Sequence, residues 1–191
     1  MLQAMDTILA ITLKYLHGVE GRYVNHPADR GGETYRGVAR NANPDWPGWA
    51  LIDAMRSLPD FPACLETNLK LELLVQSLYR ERYWDVCRCD DLPADIAAML
   101  FDSAVHHGPR RAAMLLQQTL HIKLDGIIGD MSVAAVNQFI QRHGTDALIV
   151  EFLGYRLDFL HSIVVGDSSQ ATFLRGWFNR ILKLQQFILG M

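Results

Sequence analysis

Glu20, Asp29 and Glu33 fall within a polar segment, Glu20 to Val38, that also holds four glycines, a proline and a threonine behind an apolar stretch. A carboxylic acid at the rim of a helix, facing a Gly-rich turn with a second carboxylate, suits cleavage of a glycosidic bond. One group protonates the departing oxygen, and the other activates water or stabilises an oxocarbenium-like transition state. Glu20 is the candidate acid, because apolar helix neighbours favour the protonated form of a carboxyl. Its plainer reading is a surface glutamate at a helix end, where the dipole does not favour negative charge. Asp29 follows nine residues later, and Thr34 five after that. Asp29 can act as base or electrostatic partner, with Thr34 or Glu33 orienting water. Alternatively it is a turn residue bonding its own backbone ahead of Gly31-Gly32.

Tyr23 and Tyr35 lie in the same segment and offer faces on which sugar rings stack, or simple packing in a short hairpin. Trp46 and Trp49 fall in a Pro- and Asn-rich loop, where an exposed aromatic points to binding. Gly31, Gly32 and Gly37 give backbone freedom and room for a sugar chain. No Gly-Lys-Ser/Thr follows them, so they form no phosphate loop. Adjacent residues on a helix point to different sides, which argues against a metal shared by His106 and His107. Cys87-x-Cys89 lacks the neighbouring His or Cys that would complete four zinc ligands. Neither a metal nor an organic cofactor is expected.

These side chains need elements to hold them. Met5, Ile8, Leu9, Thr12, Leu13 and Leu16 recur at helical spacing, predicting a first helix from about Ala4 to His17 with Glu20 at or just past its end. The turn formers between Arg22 and Gly37 exclude a helix and allow a small hairpin around Tyr23 and Thr34 to Val38. Further helices are predicted over Leu51–Ser57, Leu65–Trp84, Pro93–His106, Arg110–Leu120, Ser132–His143, Thr145–Ile163 and Gln170–Leu189. In the second of these, Leu69, Leu73, Gln76 and Leu78 are the spaced positions, and Ser132 is the expected cap of its helix. Asp125-Gly126 and Gly129-Asp130 mark a turn. The fold class is therefore mainly α, lysozyme-like, with at most a small β-hairpin after the first helix.

A chain of 191 residues, half of them hydrophobic and a fifth charged, suits one buried core or two small halves sharing an interface. The formal charge of −3 gives no basic footprint for nucleic acid. No run approaches the roughly 18 apolar residues of a membrane span. Met1 to Leu16 carries Asp6 and no basic leader, so it reads as an amphipathic helix and not a signal peptide. Cys64, Cys87 and Cys89 are odd in number and read as free thiols from a reducing compartment.

The order Glu-Gly-x-Tyr-Val-Asn-x-Pro-Ala-Asp-x-Gly-Gly-Glu-Thr-x-x-Gly-Val, from Glu20 to Val38, resembles the glycoside hydrolase family 108 muramidases, known partly as prophage lysozymes and partly as secretion activator proteins. Phe101-Asp102-Ser103-Ala104-Val105, Gly108-Pro109-Arg110-Arg111-Ala112-Ala113 and Leu124-Asp125-Gly126-Ile127-Ile128-Gly129 look like the peptidoglycan-binding-like half of that family. Arg175-Gly176-Trp177-Phe178-Asn179-Arg180 looks like its closing motif. The resemblance implies a lysozyme-like catalytic half over 1–90 and a helical peptidoglycan-binding-like half over 91–191, packed together. It implies hydrolysis of the β-1,4 bond between N-acetylmuramic acid and N-acetylglucosamine, with Glu20 as general acid and Asp29 and Thr34 as catalytic partners. Tyr23, Glu33, Tyr35, Trp46 and Trp49 are the implied substrate contacts, and peptidoglycan glycan strands the partner. Phage-type lysozymes show a similar Glu, Asp and Thr order, but Thr34 here stands one residue nearer its Asp. A lytic transglycosylase acting on the same bond, or a non-catalytic peptidoglycan-binding secretion regulator, is the alternative. Synthesis in the bacterial cytoplasm without a signal peptide, with action on the wall in the periplasm or outside, would call for a holin or an export-system component.

Overall fold

A computed structural model describes residues 2–20, 22–25 and 32–191, and within the first helix the side chains of residues 2–7, 17, 19 and 20 fall outside that description. Among the described residues there are eight α-helices and one three-stranded antiparallel sheet, so the fold is mainly α with a small hairpin-like sheet. The chain divides into two compact units, one spanning Leu9–Glu81 and the other Arg82–Met191 with the start of the first helix.

In the first unit, α1 (Leu2–Glu20) buries Leu9, Thr12, Leu13 and Leu16, one stripe at helical spacing. Glu20 is its last residue. β1 (Tyr23–Val24), β2 (Thr34–Tyr35) and β3 (Val38–Ala39) follow, with Tyr23 opposite Tyr35 and Tyr35 opposite Val38. A two-residue turn joins β2 to β3. Arg36 (φ 45°) and Gly37 (φ 80°) both adopt the left-handed backbone that such a turn demands. α2 (Gly48–Met55) and α3 (Leu69–Tyr79) complete the unit. The helix expected from Leu65 is interrupted at Asn68, whose side chain accepts the Leu71 N–H and caps α3. The buried face of α3 also differs from the expected one. Leu71, Val75 and Tyr79 face inward, while Leu69 and Leu73 are exposed. The leucine-rich run offers two overlapping stripes, and the one ending in Tyr79, whose hydroxyl reaches the Arg36 carbonyl, is the one buried.

In the second unit, α4 (Ala94–His107) is buried without interruption from Ile96 to Ala104, the mark of a central helix. Around it stand α5 (Pro109–Thr119), α6 (Asp130–His143), α7 (Thr145–Gly166) and α8 (Leu174–Leu189). Ser132 lies inside α6 and bonds the Ile127 carbonyl, so it is not the cap; Gly129 holds that position. The last helix begins at Leu174 because Ser168–Phe173 forms a tighter 3-10 turn capped by Asp167. The Asp125-Gly126 turn is latched by the buried Gln117, whose amide reaches the Asp125 carboxylate at 2.7 Å and the Gly126 N–H at 2.9 Å.

The polar centre of this unit is Asp102 on α4, with no exposed surface. It accepts Arg156 Nη1 from α7 at 2.7 Å and Arg180 Nε from α8 at 3.0 Å. Arg156 also reaches His107 Nε2 at 3.1 Å and His106 Nδ1 at 3.2 Å, and a guanidinium can only donate, so both imidazoles accept. The two histidines are thus drawn to one arginine, with ring centroids 4.1 Å apart. Burial lowers His106 from 6.5 to about 4 and His107 to about 2, helped by the Arg156 and Arg180 charges.

Below pH 6.5 the unfolded chain binds protons that the folded chain refuses. Stability is therefore complete above that pH and falls as pH drops towards 4, by up to about 1.4 kcal/mol per unit for each histidine. Urea unfolding at pH 7 and pH 5 should show the lower midpoint at pH 5. The double substitution His106→Gln and His107→Gln should shrink that drop, and an undiminished drop would remove these histidines as its source.

Candidate active site

The hairpin of the first unit is held by Glu33, whose side chain is 6% exposed. It accepts Tyr23 Oη at 2.8 Å, Arg40 Nη1 at 2.8 Å and Arg56 Nη2 at 2.6 Å. Arg40 and Arg56 in turn bind Asp53 on α2. The Arg40 hydrogen bond holds the Asp53 carboxyl below its ordinary range. Burial, then the Glu33 hydrogen bond, raises the Tyr23 phenol. Both oxygens of Glu33 are committed to cationic donors, so it braces the sheet against α2. Substrate contact was the expectation for Glu33; in the structure its carboxylate is bonded within the protein instead. Glu33→Gln should cost roughly 2–3 kcal/mol by leaving two partly exposed guanidiniums undercompensated, read as a lower urea midpoint. A stability within about 0.5 kcal/mol of the parent, the range of a plain surface substitution, would dismiss the brace.

Tyr35, Trp46 and Trp49 are also placed differently from the expectation of sugar-facing aromatics. They are 0%, 7% and 3% exposed. Tyr35 donates to the Leu65 carbonyl, Trp46 to that of Leu74 and Trp49 to that of Asn43. The tryptophans pack edge to face at 5.1 Å and form the core beneath the loop. A buried Tyr or Trp needs an acceptor for its O–H or N–H, and here each of the three finds a backbone carbonyl.

Tyr23 keeps a partly exposed ring at the sheet edge, packed edge to face on Phe61 at 5.1 Å. Thr34 is half-buried on β2 and donates to the Gly32 carbonyl at 3.1 Å. Gly32 has φ 69°, a conformation that favours glycine, and a Cβ there would press on the Asn41 amide at 2.9 Å. Asp29 and Gly31 lie outside the described residues, as does the side chain of Glu20.

A groove of about 490 Å³ runs along this unit. Its wall is built from Lys14 and Gly18 on α1, Arg22 before β1, Arg36 in the hairpin turn, and Glu66 and Glu72 opposite. Gly18 and Arg22 bracket Glu20 by two residues on either side. Arg36 pairs with both Glu66, at 3.3 Å, and Glu72, and the Arg22 guanidinium lies 4.0 Å from Glu66. The sequence pointed to the carboxylates of the Gly-rich segment but not to Glu66 and Glu72. Their nearest signal is their position two residues before and four residues after Asn68, where the helix breaks, facing a hairpin rich in arginine.

Among the described residues no three His, Cys, Asp or Glu side chains gather to hold a metal ion. No helix among them is long and apolar enough to cross a membrane. Cys64, Cys87 and Cys89 are free thiols, and burial pushes Cys87 up to about 12 and Cys89 well above its ordinary range, which disqualifies both as nucleophiles.

The family model described as Glycosyl hydrolase 108 matches residues 13–108. The chain belongs to glycosyl hydrolase family 108. A second model, described as "Predicted Peptidoglycan domain", matches residues 111–182 of this family 108 chain. The solved structure of SagA from Brucella abortus is similar at 29% identity with a TM-score of 0.69, covering 97% of this chain and 95% of that one. A search of curated proteins returns no match. The family 108 chain is thus a glycoside hydrolase of lysozyme-like type with peptidoglycan as its substrate class.

Proposed function

We propose that this family 108 chain is an N-acetylmuramidase that hydrolyses the β-1,4 bond between N-acetylmuramic acid and N-acetylglucosamine, with Glu20 as general acid. The observation that carries the reading is the groove whose wall includes Gly18 and Arg22 on either side of Glu20. Lys14, Arg22 and Arg36 outnumber Glu66 and Glu72 in that groove by one charge, a slight bias towards an anionic glycan. Glu20 protonates the departing oxygen, and water positioned by Asp29 or Thr34 attacks the anomeric carbon. The protein is made in the bacterial cytoplasm and reaches the wall through a holin or an export-system component, as a prophage endolysin or a secretion-assisting muramidase.

Digestion of purified sacculi followed by mass spectrometry tests the bond and the outcome together. Reducing muramic acid ends are expected. Anhydro-muramyl ends would establish a transglycosylase, reducing N-acetylglucosamine ends would establish a glucosaminidase, and no release would leave only a wall-binding protein.

A further inference from the structure

A second groove, about 460 Å³ in volume, lies in the other unit between the end of α5, α6 and α7. That volume is in the range of ligand sites. Its small and apolar walls include Ile122, Ala135 and Ala147. Its polar groups are His121, Gln138, Arg142, His143 and Glu151. Every one of these residues falls within the stretch matched by the peptidoglycan domain.

The way α5 ends is unusual. Ile122 N–H reaches the Gln117 carbonyl and His121 N–H that of Gln118, each at 3.1 Å, which is the pattern that closes a helix on a left-handed residue. Glycine is the ordinary occupant, yet here the residue is His121 with φ 52°. The strained backbone sets the imidazole at the groove, where Nε2 stands 3.3 Å from the Glu151 carboxylate of α7. That contact is 70% and 35% exposed on its two sides and adds little to stability. A residue that strains the backbone for a weak surface pair is better explained by what it presents to a ligand. Across the groove, Arg142 supplies a permanent cation, and Phe139 packs on His143 with ring centroids 4.8 Å apart, so its ring is engaged.

We propose that this groove binds the peptide stem of peptidoglycan, not its sugar chain. The stem is a short run of small residues with free carboxylates, amides and an amine. Arg142 and the histidines match its carboxylates, Gln138 its amides, Glu151 its amine, and Ala135 and Ala147 leave room for methyl side chains. A neutral sugar ring would instead call for a broad open aromatic face, and the groove's phenyl ring, Phe139, is half-buried and leans on His143. The assignment rests on peptidoglycan being the substrate, as proposed above, and adds the part of the polymer that this unit holds.

Titration calorimetry of the full chain with a disaccharide-peptide muropeptide, and with the same disaccharide stripped of peptide, tests the site without requiring hydrolysis. The peptide-bearing fragment should bind and the stripped one should bind at least tenfold more weakly. Arg142→Gln and His121→Gly should each weaken muropeptide binding tenfold or more, while His121→Gly holds or raises the melting temperature, because glycine relieves the backbone. Equal binding of the two fragments, or undiminished binding by Arg142→Gln, overturns the proposal. If His121→Gly loses stability and binding together, His121 is structural and the Arg142→Gln result decides. Sacculus digestion by the parent chain reports separately on the muramidase reading: a chain that cleaves walls but binds no muropeptide loses only this site, and one that binds muropeptide without cleaving loses only the enzyme assignment.

Discussion

Replacing Glu20 with Gln is expected to abolish lysis of purified cell walls while leaving the melting temperature and wall binding unchanged. The amide keeps the size and polarity of the side chain but has no proton to donate. General acid catalysis contributes about 10²–10⁴-fold, so clearing of a wall suspension should fall by at least the lower of these figures. A Glu20→Gln protein that clears walls near the parent rate ends the central assignment. Asp29→Asn should lose less, because an amide can still orient water. For a base acting through water, the two carboxyl groups should stand roughly 6.5–9.5 Å apart, against about 5–5.5 Å for a nucleophile. The wider spacing is expected, since nine residues separate the two positions and a water must fit between them. Full activity in Asp29→Asn would make that residue a turn former and leave Thr34 to position the water.

The largest loss of stability should come from Asp102→Ala. It leaves the Arg156 and Arg180 guanidiniums, with side chains 0% and 8% exposed, beside each other without their anion. Removing one partner of a buried ion pair costs about 3–5 kcal/mol, a large share of the roughly 5–15 kcal/mol that holds a protein folded. Chemical unfolding should show the loss in full, and the deficit should exceed that of Glu33→Gln, whose arginines are partly exposed. Replacing Asp102, Arg156 and Arg180 together with apolar residues of similar volume should recover much of it, because no buried charge is then left alone. A loss under 1 kcal/mol in Asp102→Ala would show that water reaches these arginines in solution.

Periodicity was a reliable guide wherever one stripe of a helix was apolar and the other polar. It served for α1, with Leu9, Leu13 and Leu16. It misled in α3, where leucines lie on both faces and only the reach of Tyr79 to the Arg36 carbonyl decides between them. The Gly-rich segment was recognisable as a hairpin from its turn formers. The partners of Glu33 were not, because Arg40 and Arg56 lie 7 and 23 residues away and meet it only once α2 is packed. The same holds for Asp102 and Arg156, 54 residues apart. One signal for them was present: Arg156 occupies a core position in the series Ile149, Phe152, Leu153 and Leu160, where an arginine must find a buried anion. Trp46 and Trp49 were misjudged for a related reason. Position in a loop says nothing about the carbonyls that fold back to meet an indole.

Asp102 lies in the stretch matched by the hydrolase family, whereas Arg156 and Arg180 lie in the stretch matched by the peptidoglycan domain. The seam between those two matched stretches, near residue 110, therefore cuts through the charge cluster of a single compact unit. A cut at that seam would strand two buried cations on one side and their anion on the other. Neither matched stretch therefore carries a complete charge cluster of its own, and a chain cut near residue 110 is expected to lose the fold of this unit on both sides of the cut.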